Sequence, residues 1–462
     1  MNTAQSTTTA TLFRNVRVFD GISDTLSAAG DVLVRGNTIA AVGDHAAGDV
    51  QGSETVTVID GAGHTLMPGL IDAHYHLAMS TVPMFQMMTA DVDYVTIRGT
   101  QAARETLLRG FTTIRDVGGP TFGLKRAIDE GVIEGPRIYP SGAMISQTSG
   151  HGDFRMRYEL PRGVCNHHSH SEVAGATAIA DGPDEVLRAT REQLMRGATQ
   201  IKVMAGGGVA SAYDPLDVTE YTEAELRAAV EAAENWGTYV TVHAYTDRAV
   251  QQAIRAGMRC VEHGQLLTEE TVEMMAEHDI RWSLQPFGVS AEQSAMLTPD
   301  QKARFLQVAE GTERTFGFVE KYGIKSAWGT DILFDAAATA QQGAMLAATG
   351  RWQSAGTVLR TATSGNAETV AMCGPRNPYP GELGVIRPGA LADLLLVRGN
   401  PVENLNLLAT PETSLSVIMK DGKIHKNLLG ERCTTSERNG AADRAARVSA
   451  GGNRVRVAGG GA

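Results

Sequence analysis

From Pro68 to about Gly381 the chain alternates two textures. Apolar runs of four to six residues, too short for helices, recur between stretches with helical spacing. The strand-like runs fall at 68–76, 111–116, 137–140, 199–204, 239–243, 259–263, 280–284 and 324–328. Strands apolar on both faces belong in parallel sheets, whose connections need a crossover helix. Helical patterns duly intervene, at about 95–109, 184–196 and 247–256, and Thr222-x-x-Glu225 forms a capping box. Eight such runs predict an α/β fold, a parallel (β/α)8 TIM barrel.

The segments outside the barrel read differently. Residues 11–66 are short strands with no helix, including a hairpin around Gly36-Asn37, and strands resume at 393–397 and 416–420. Neither end carries enough apolar surface to stand alone. One flanking β-sandwich built from both ends, 11–66 and 381–430, is the economical arrangement around a barrel at 67–380. Residues 1–10 read as a flexible N-terminus. Residues 431–462, rich in Gly, Ala and Arg and without periodicity, read as a disordered tail. A length of 462 residues suits this pairing of a barrel with a smaller domain.

Composition excludes several function classes. A net charge of −11 argues against a nucleic-acid surface. No run of about 18 apolar residues is present to span a membrane. Cys165, Cys260, Cys373 and Cys433 lack C-x-x-C spacing, which suggests free thiols in a reducing compartment. The polar, Thr-rich start lacks a signal-peptide pattern. Together these features suggest a cytoplasmic protein.

Barrel chemistry gathers at the C-terminal ends of the strands. Those positions hold His74 and His76 after the first strand, Lys202 in the fourth, His243 ending the fifth, His263 ending the sixth and Asp331 after the eighth. His74 and His76 alternate on one face, as half of a transition-metal site would. A strand-end histidine taken singly is usually a satisfied polar residue, and Asp331 alone could be a turn or cap residue. Lys202 is the least expected, a cation inside an apolar strand. Burial drives such an amine toward its neutral form, which can take up carbon dioxide as a carbamate ligand. A salt bridge to Asp331 or another carboxylate is the plain alternative.

The motifs Pro-Gly-Leu-Ile-Asp-Ala-His-Tyr-His (68–76), Ile-Lys-Val-Met-Ala-Gly-Gly-Gly (201–208), Val-His-Ala-Tyr (242–245), Val-Glu-His-Gly (261–264) and Gly-Thr-Asp (329–331) stand in order along the chain. With the C-terminal Gly-x-Ile-x-Pro-Gly-x-x-Ala-Asp-Leu-Leu-Leu-Val (384–397), the chain resembles the amidohydrolase superfamily, in its branch of metal-dependent peptidases and amidases with prolidase-like, Xaa-Arg/Lys dipeptidase-like and ochratoxin-hydrolysing members. The resemblance implies two divalent ions, usually Zn2+. One is held by His74, His76 and Asp331, the other by His243 and His263, with N6-carboxylysine at Lys202 between them. It also implies a homo-oligomer, octameric in some relatives, and a small-molecule amide or dipeptide substrate.

On this pattern Asp331 serves as the general acid–base that passes a proton to the leaving amine. Tyr245 hydrogen-bonds the developing oxyanion, unless it merely fills the barrel mouth. His151, in the long loop 145–182, resembles a residue that contacts a substrate carbonyl or carboxylate. Independently of the resemblance, the backbone of Gly206 and Gly207 could cradle a carboxylate, and Arg155 and Arg157 could clamp one. His167, His168 and His170 read as a solvated loop. The rivals are a mononuclear deaminase or imidazolonepropionase-like cyclic amide hydrolase of the same superfamily, and a non-catalytic scaffold. Lys202 weighs against the deaminase, and the full set of ligand types against the scaffold.

Overall fold

The computed structural model describes residues 9–50, 55–288, 298–429 and 432–435. Barrel strands run at Leu70–Tyr75, Phe111–Asp116, Arg137–Pro140, Ile201–Met204, Val240–Ala244, Cys260–His263, Arg281–Leu284 and Ser326–Trp328. Neighbours in this series are parallel. The third strand is broken. After Pro140 the chain turns at Gly142, with a φ of 76° that suits glycine, and continues as Met144–Ser146, which pairs with the fourth strand. Thr177–Ile179 adds a strand on the outer side of Met144–Ser146. The segment 145–182, which reads as one long loop in sequence, therefore begins and ends in sheet and carries short helices at Arg162–Cys165 and His170–Val173. Strands of three residues are too short to show a period.

The barrel closes through side chains. Asn366 Nδ2 donates to the carbonyls of Ile71 (2.6 Å) and Trp328 (2.8 Å), and its Oδ1 accepts from the Trp328 N–H at 2.9 Å. One amide thus joins the first and eighth strands. Nearer the mouth, Asp331 N–H donates to the His74 carbonyl at 2.8 Å.

The flanking sheet runs Lys423–Asn427, Leu415–Lys420, Leu394–Val397, Thr65–Pro68, Thr9–Val18, Ala29–Arg35, Thr38–Val42. Both chain ends contribute, as sequence predicts. Strand Thr9–Val18 changes partner along its length, from Thr55–Asp60 to Thr65–Pro68, and a bulge between Phe13 and Val16 places Asn15 at φ 53°. This lets the sheet fold over a core that includes Phe13, Val16, Val32, Ile59 and Leu66. Its other face packs on the barrel through Met67, Phe111, Trp328, Leu395 and Ile418.

Two terminal expectations are corrected. Arg432–Thr435 pairs antiparallel with Thr55–Asp60, so the sandwich extends past residue 430, an edge pairing whose partner is distant in sequence. Ala46–Asp49 is a short helical turn within the N-terminal β segment. The remainder of the expected flexible ends, 1–8, 431 and 436–462, lies outside the described residues. Cys165, Cys260 and Cys373 are free thiols. Among the described residues no helix is long and apolar enough to cross a membrane.

Candidate active site

His74, His76, Lys202, His243, His263 and Asp331 line a single cavity of about 220 Å³ at the C-terminal ends of the barrel strands. Parallel pairing sets Met204 beside His243 and Ala244 beside His263, which puts the fifth- and sixth-strand histidines one residue apart in register. Asp331 Oδ1 lies 3.0 Å from His74 Nε2 and 3.2 Å from His76 Nε2. The ligand atoms of these three residues all fall within 4.8 Å of one another, close enough to share one metal ion. The His243 and His263 rings are 4.6 Å apart, and His74 and His263 are 5.0 Å apart. His263 and Asp331 adopt φ of 73° and 55°, a left-handed region that costs a side-chain-bearing residue energy and that clusters at functional sites.

Each imidazole has one nitrogen tied back into the protein. His74 Nδ1 donates to Glu262 Oε2 at 2.7 Å, His76 Nδ1 to the Gly118 carbonyl at 2.9 Å and His263 Nδ1 to Gln285 Oε1 at 2.7 Å. His243 is held by the opposite nitrogen, Nε2 to the Gly207 carbonyl at 3.2 Å. Three rings therefore offer Nε2 and one offers Nδ1, the arrangement by which outer partners select a ligating tautomer. Burial pushes the His243 and His263 imidazoles well below their usual range, which keeps both neutral, as ligands must be. For Asp331 burial acts upward, but His74, His76 and His263 outweigh it and hold the carboxylate well below the usual range.

Lys202 is buried, and burial lowers its amine from the usual lysine range. Among the described residues it forms no hydrogen bond and no ion pair; Glu262 and Asp331 act on it only through space. The salt bridge that sequence leaves open is not formed. A buried, neutral-leaning amine without a partner among the described residues, beside the neutral His243 and His263 imidazoles and a carboxylate, is a donor set that fits metal binding and carbamate formation.

The other expected residues divide. Tyr245 lines the cavity and stacks on His263 at 5.0 Å, and among the described residues its hydroxyl has no hydrogen-bond partner. His151 also lines it, stacked on His243 at 4.0 Å. Arg155 does not reach it: its guanidinium is paired with Asp153, Nε to Oδ1 at 2.7 Å, a partner only two residues away. Arg157 is exposed and lies over the Tyr213 ring. Gly207 spends its N–H on the Val218 carbonyl, and neither Gly206 nor Gly207 lines the cavity. His168 meets Arg162 and Glu172, and His170 meets the Ala90 carbonyl.

Several residues escape sequence reasoning. Glu262 accepts from His74 and, through Oε1, from Arg115 Nη2 at 2.6 Å and from Thr241; Glu262 and Arg115 are both fully buried. Arg115 Nε also donates to the Ala73 carbonyl at 2.5 Å. Gln285 accepts from His263 through Oε1, and its Nε2 lies 3.2 Å from His74 Nδ1. Their signal is present, since Arg115 and Glu262 are charges inside apolar strands like Lys202, but nothing local shows that they pair with each other.

Residues 65–429 match the amidohydrolase family. The chain belongs to that family. The ochratoxinase of Aspergillus niger is 31% identical over 380 residues, covering 78% of this chain and 75% of that protein. Its crystal structure superposes with a TM-score of 0.79, covering 93% of this chain and all of that one. A crystallised amidohydrolase is 36% identical, with a TM-score of 0.82 over 91% of this chain and 100% of its own. A prolidase solved with N-methylphosphonate-L-proline is 34% identical, with a TM-score of 0.81 over 90% and 100% of the two chains. The protein is a hydrolase acting on carbon–nitrogen bonds, built as a TIM barrel with a flanking β-sandwich.

Proposed function

We propose that this hydrolase cleaves the amide bond of a small N-acyl amino acid or dipeptide-like substrate at a centre of two divalent ions, most simply zinc. The observation that carries the reading is the convergence of four imidazoles, Asp331 and an unpaired Lys202 on one small cavity. The activities for which the relatives are named, those of an ochratoxinase and a prolidase, support the bond class. His74, His76 and Asp331 would hold one ion, His243 and His263 the other, and Lys202, as N6-carboxylysine, would bridge them. Such ions supply hydroxide near neutral pH and polarise a carbonyl.

The chain's own residues do the remainder. Asp331 is placed at the centre to take a proton from the nucleophile and return it to the leaving amine, which departs poorly as an anion. Tyr245 lines the cavity with no partner on its hydroxyl among the described residues, and would donate to the developing oxyanion. Phe154, Phe287, Phe305 and Phe334 wall the remaining space with apolar surface.

A mononuclear deaminase would use the His74–His76–Asp331 group and give Lys202 no task. Purified protein should carry two ions per chain and release the amino acid from a panel of N-acyl amino acids and dipeptides with aromatic, basic and proline C-terminal residues, compared by kcat/KM. One ion per chain, with ammonia released from aminated heterocycles instead, would replace this reading with the deaminase.

A further inference from the structure

The glycine run 206–208 has a use that its amides do not reveal. A Cβ on Gly208 would lie 2.0 Å from His151 Cε1 and 2.2 Å from its Nδ1. Only a residue without a side chain lets the imidazole rest there, stacked on His243 with centroids 4.0 Å apart and planes 14° apart. The segment that follows holds the ring by one edge. His151 Nδ1 is 2.7 Å from Ser211 Oγ and 3.2 Å from Asp214 Oδ2. Asp214 is buried, and its Oδ2 also accepts the Gly208 N–H at 2.7 Å. Arg304 Nη1 donates to the carbonyls of both Gly208 (3.2 Å) and Asp214 (2.8 Å), which clamps the two ends of this segment together. The His151 N–H donates to Glu220 at 2.7 Å, so backbone and ring are both tethered. His151 Nε2 alone has no partner among the described residues, and the residue lines the cavity.

We propose that Asp214 is a positioning residue for His151. With Ser211 it engages Nδ1 and fixes the ring's rotation, which leaves Nε2 as the nitrogen that faces the substrate. This rests on the amide-hydrolase reading above. The geometry parallels a carboxylate that orients a histidine in a catalytic triad, here directed at a bound substrate rather than at a serine. Asp214 touches no reacting atom and acts only through the ring.

The test compares Asp214→Ala, Asp214→Asn, His151→Ala and the double variant D214A/H151A by kcat and KM on an N-acyl amino acid, with metal content and unfolding midpoint measured alongside. D214A should lose roughly 10- to 100-fold in kcat/KM, the range for removing a histidine's outer partner. D214N keeps an acceptor oxygen and should recover part of that loss. In the H151A background the D214A change should alter kcat/KM by less than about two-fold, since no ring remains to be placed. A full additional loss in that background would overturn the proposal and leave Asp214 as a loop latch. The crystal structure of D214A decides independently of turnover: a His151 ring whose Nδ1 still lies on Ser211 Oγ overturns the proposal, and a ring turned so that Nδ1 leaves Ser211 supports it. A wild-type protein inert toward every amide refutes the amide-hydrolase reading, while the D214A structure still decides the role of Asp214.

Discussion

Replacing Glu262 by Gln tests the least visible part of the site. Glu262 is fully buried and serves four donors, His74 Nδ1, Arg115 Nη2, Thr241 Oγ1 and the Cys260 thiol. Burial alone would raise its carboxyl, but Arg115, followed by His74, outweighs that and holds it well below the usual carboxylate range. A glutamine has one acceptor oxygen where the carboxylate has two. Either amide orientation turns an NH2 group toward a donor, His74 on one side or Arg115 and Thr241 on the other. The Arg115 guanidinium also loses its buried counter-charge. Removing one member of a buried ion pair costs about 3–5 kcal/mol. With an unfolding entropy of about 2.1 cal/mol/K per residue, the 462-residue chain loses roughly 1 °C of midpoint per kcal/mol, hence about 3–5 °C. Losing the partner of a ligating histidine should also weaken metal affinity about 10- to 100-fold. Scanning calorimetry of metal-stripped E262Q isolates the first effect, and metal titration measured by elemental analysis gives the second. A metal-free midpoint within about 1 °C of wild type, together with unchanged metal affinity, would refute the claim that this network supports His74.

Lys202→Ala should abolish amide hydrolysis while circular dichroism shows the fold retained; full activity would remove the bridging role. Asn366→Leu strands the Ile71 and Trp328 carbonyls and the Trp328 N–H at the barrel seam. At about 1–3 kcal/mol for each unsatisfied buried group, it should lower the unfolding midpoint by several degrees, as checked by thermal denaturation. Glu220→Gln tests pH linkage. Burial pushes the Glu220 carboxyl up to about 9, so the folded state holds a proton that the unfolded chain releases near its usual 4.5. That stability is fully present below about pH 4.5 and is lost as pH rises through about 9. Urea midpoints measured at about pH 5 and 8.5 should therefore converge in E220Q relative to wild type, and an unchanged difference would argue against a neutral Glu220.

The metal-ligand candidates are legible because each contradicts its surroundings. A lysine or histidine ending an apolar strand has no local reason to be there, and barrel topology carries those strand ends to one place. Glu262 and Arg115 contradict theirs equally, but they pair across three strands, and one dimension does not show who meets whom. Arg155 illustrates the converse: a cation in a candidate binding loop reads as a clamp until Asp153, two residues away, is seen to occupy it. Gly208 could be read only with His151 beside it, since its lack of a side chain matters for the space given to a distant ring. The broken third strand and the pairing of Thr177–Ile179 with Met144–Ser146 involve runs too brief to show alternation.

The sheet woven from both chain ends has a consequence during synthesis. Strand Thr65–Pro68 is bordered on one side by Leu394–Val397, about 330 residues downstream. At about 5–20 residues per second, a ribosome leaves that border open for roughly 16–66 s. Through that interval the nascent chain carries a bare strand flank next to an unfinished barrel, a ready template for mispairing. Chaperone demand should accordingly be greatest in the last quarter of translation and fall away once Leu394–Val397 clears the exit tunnel.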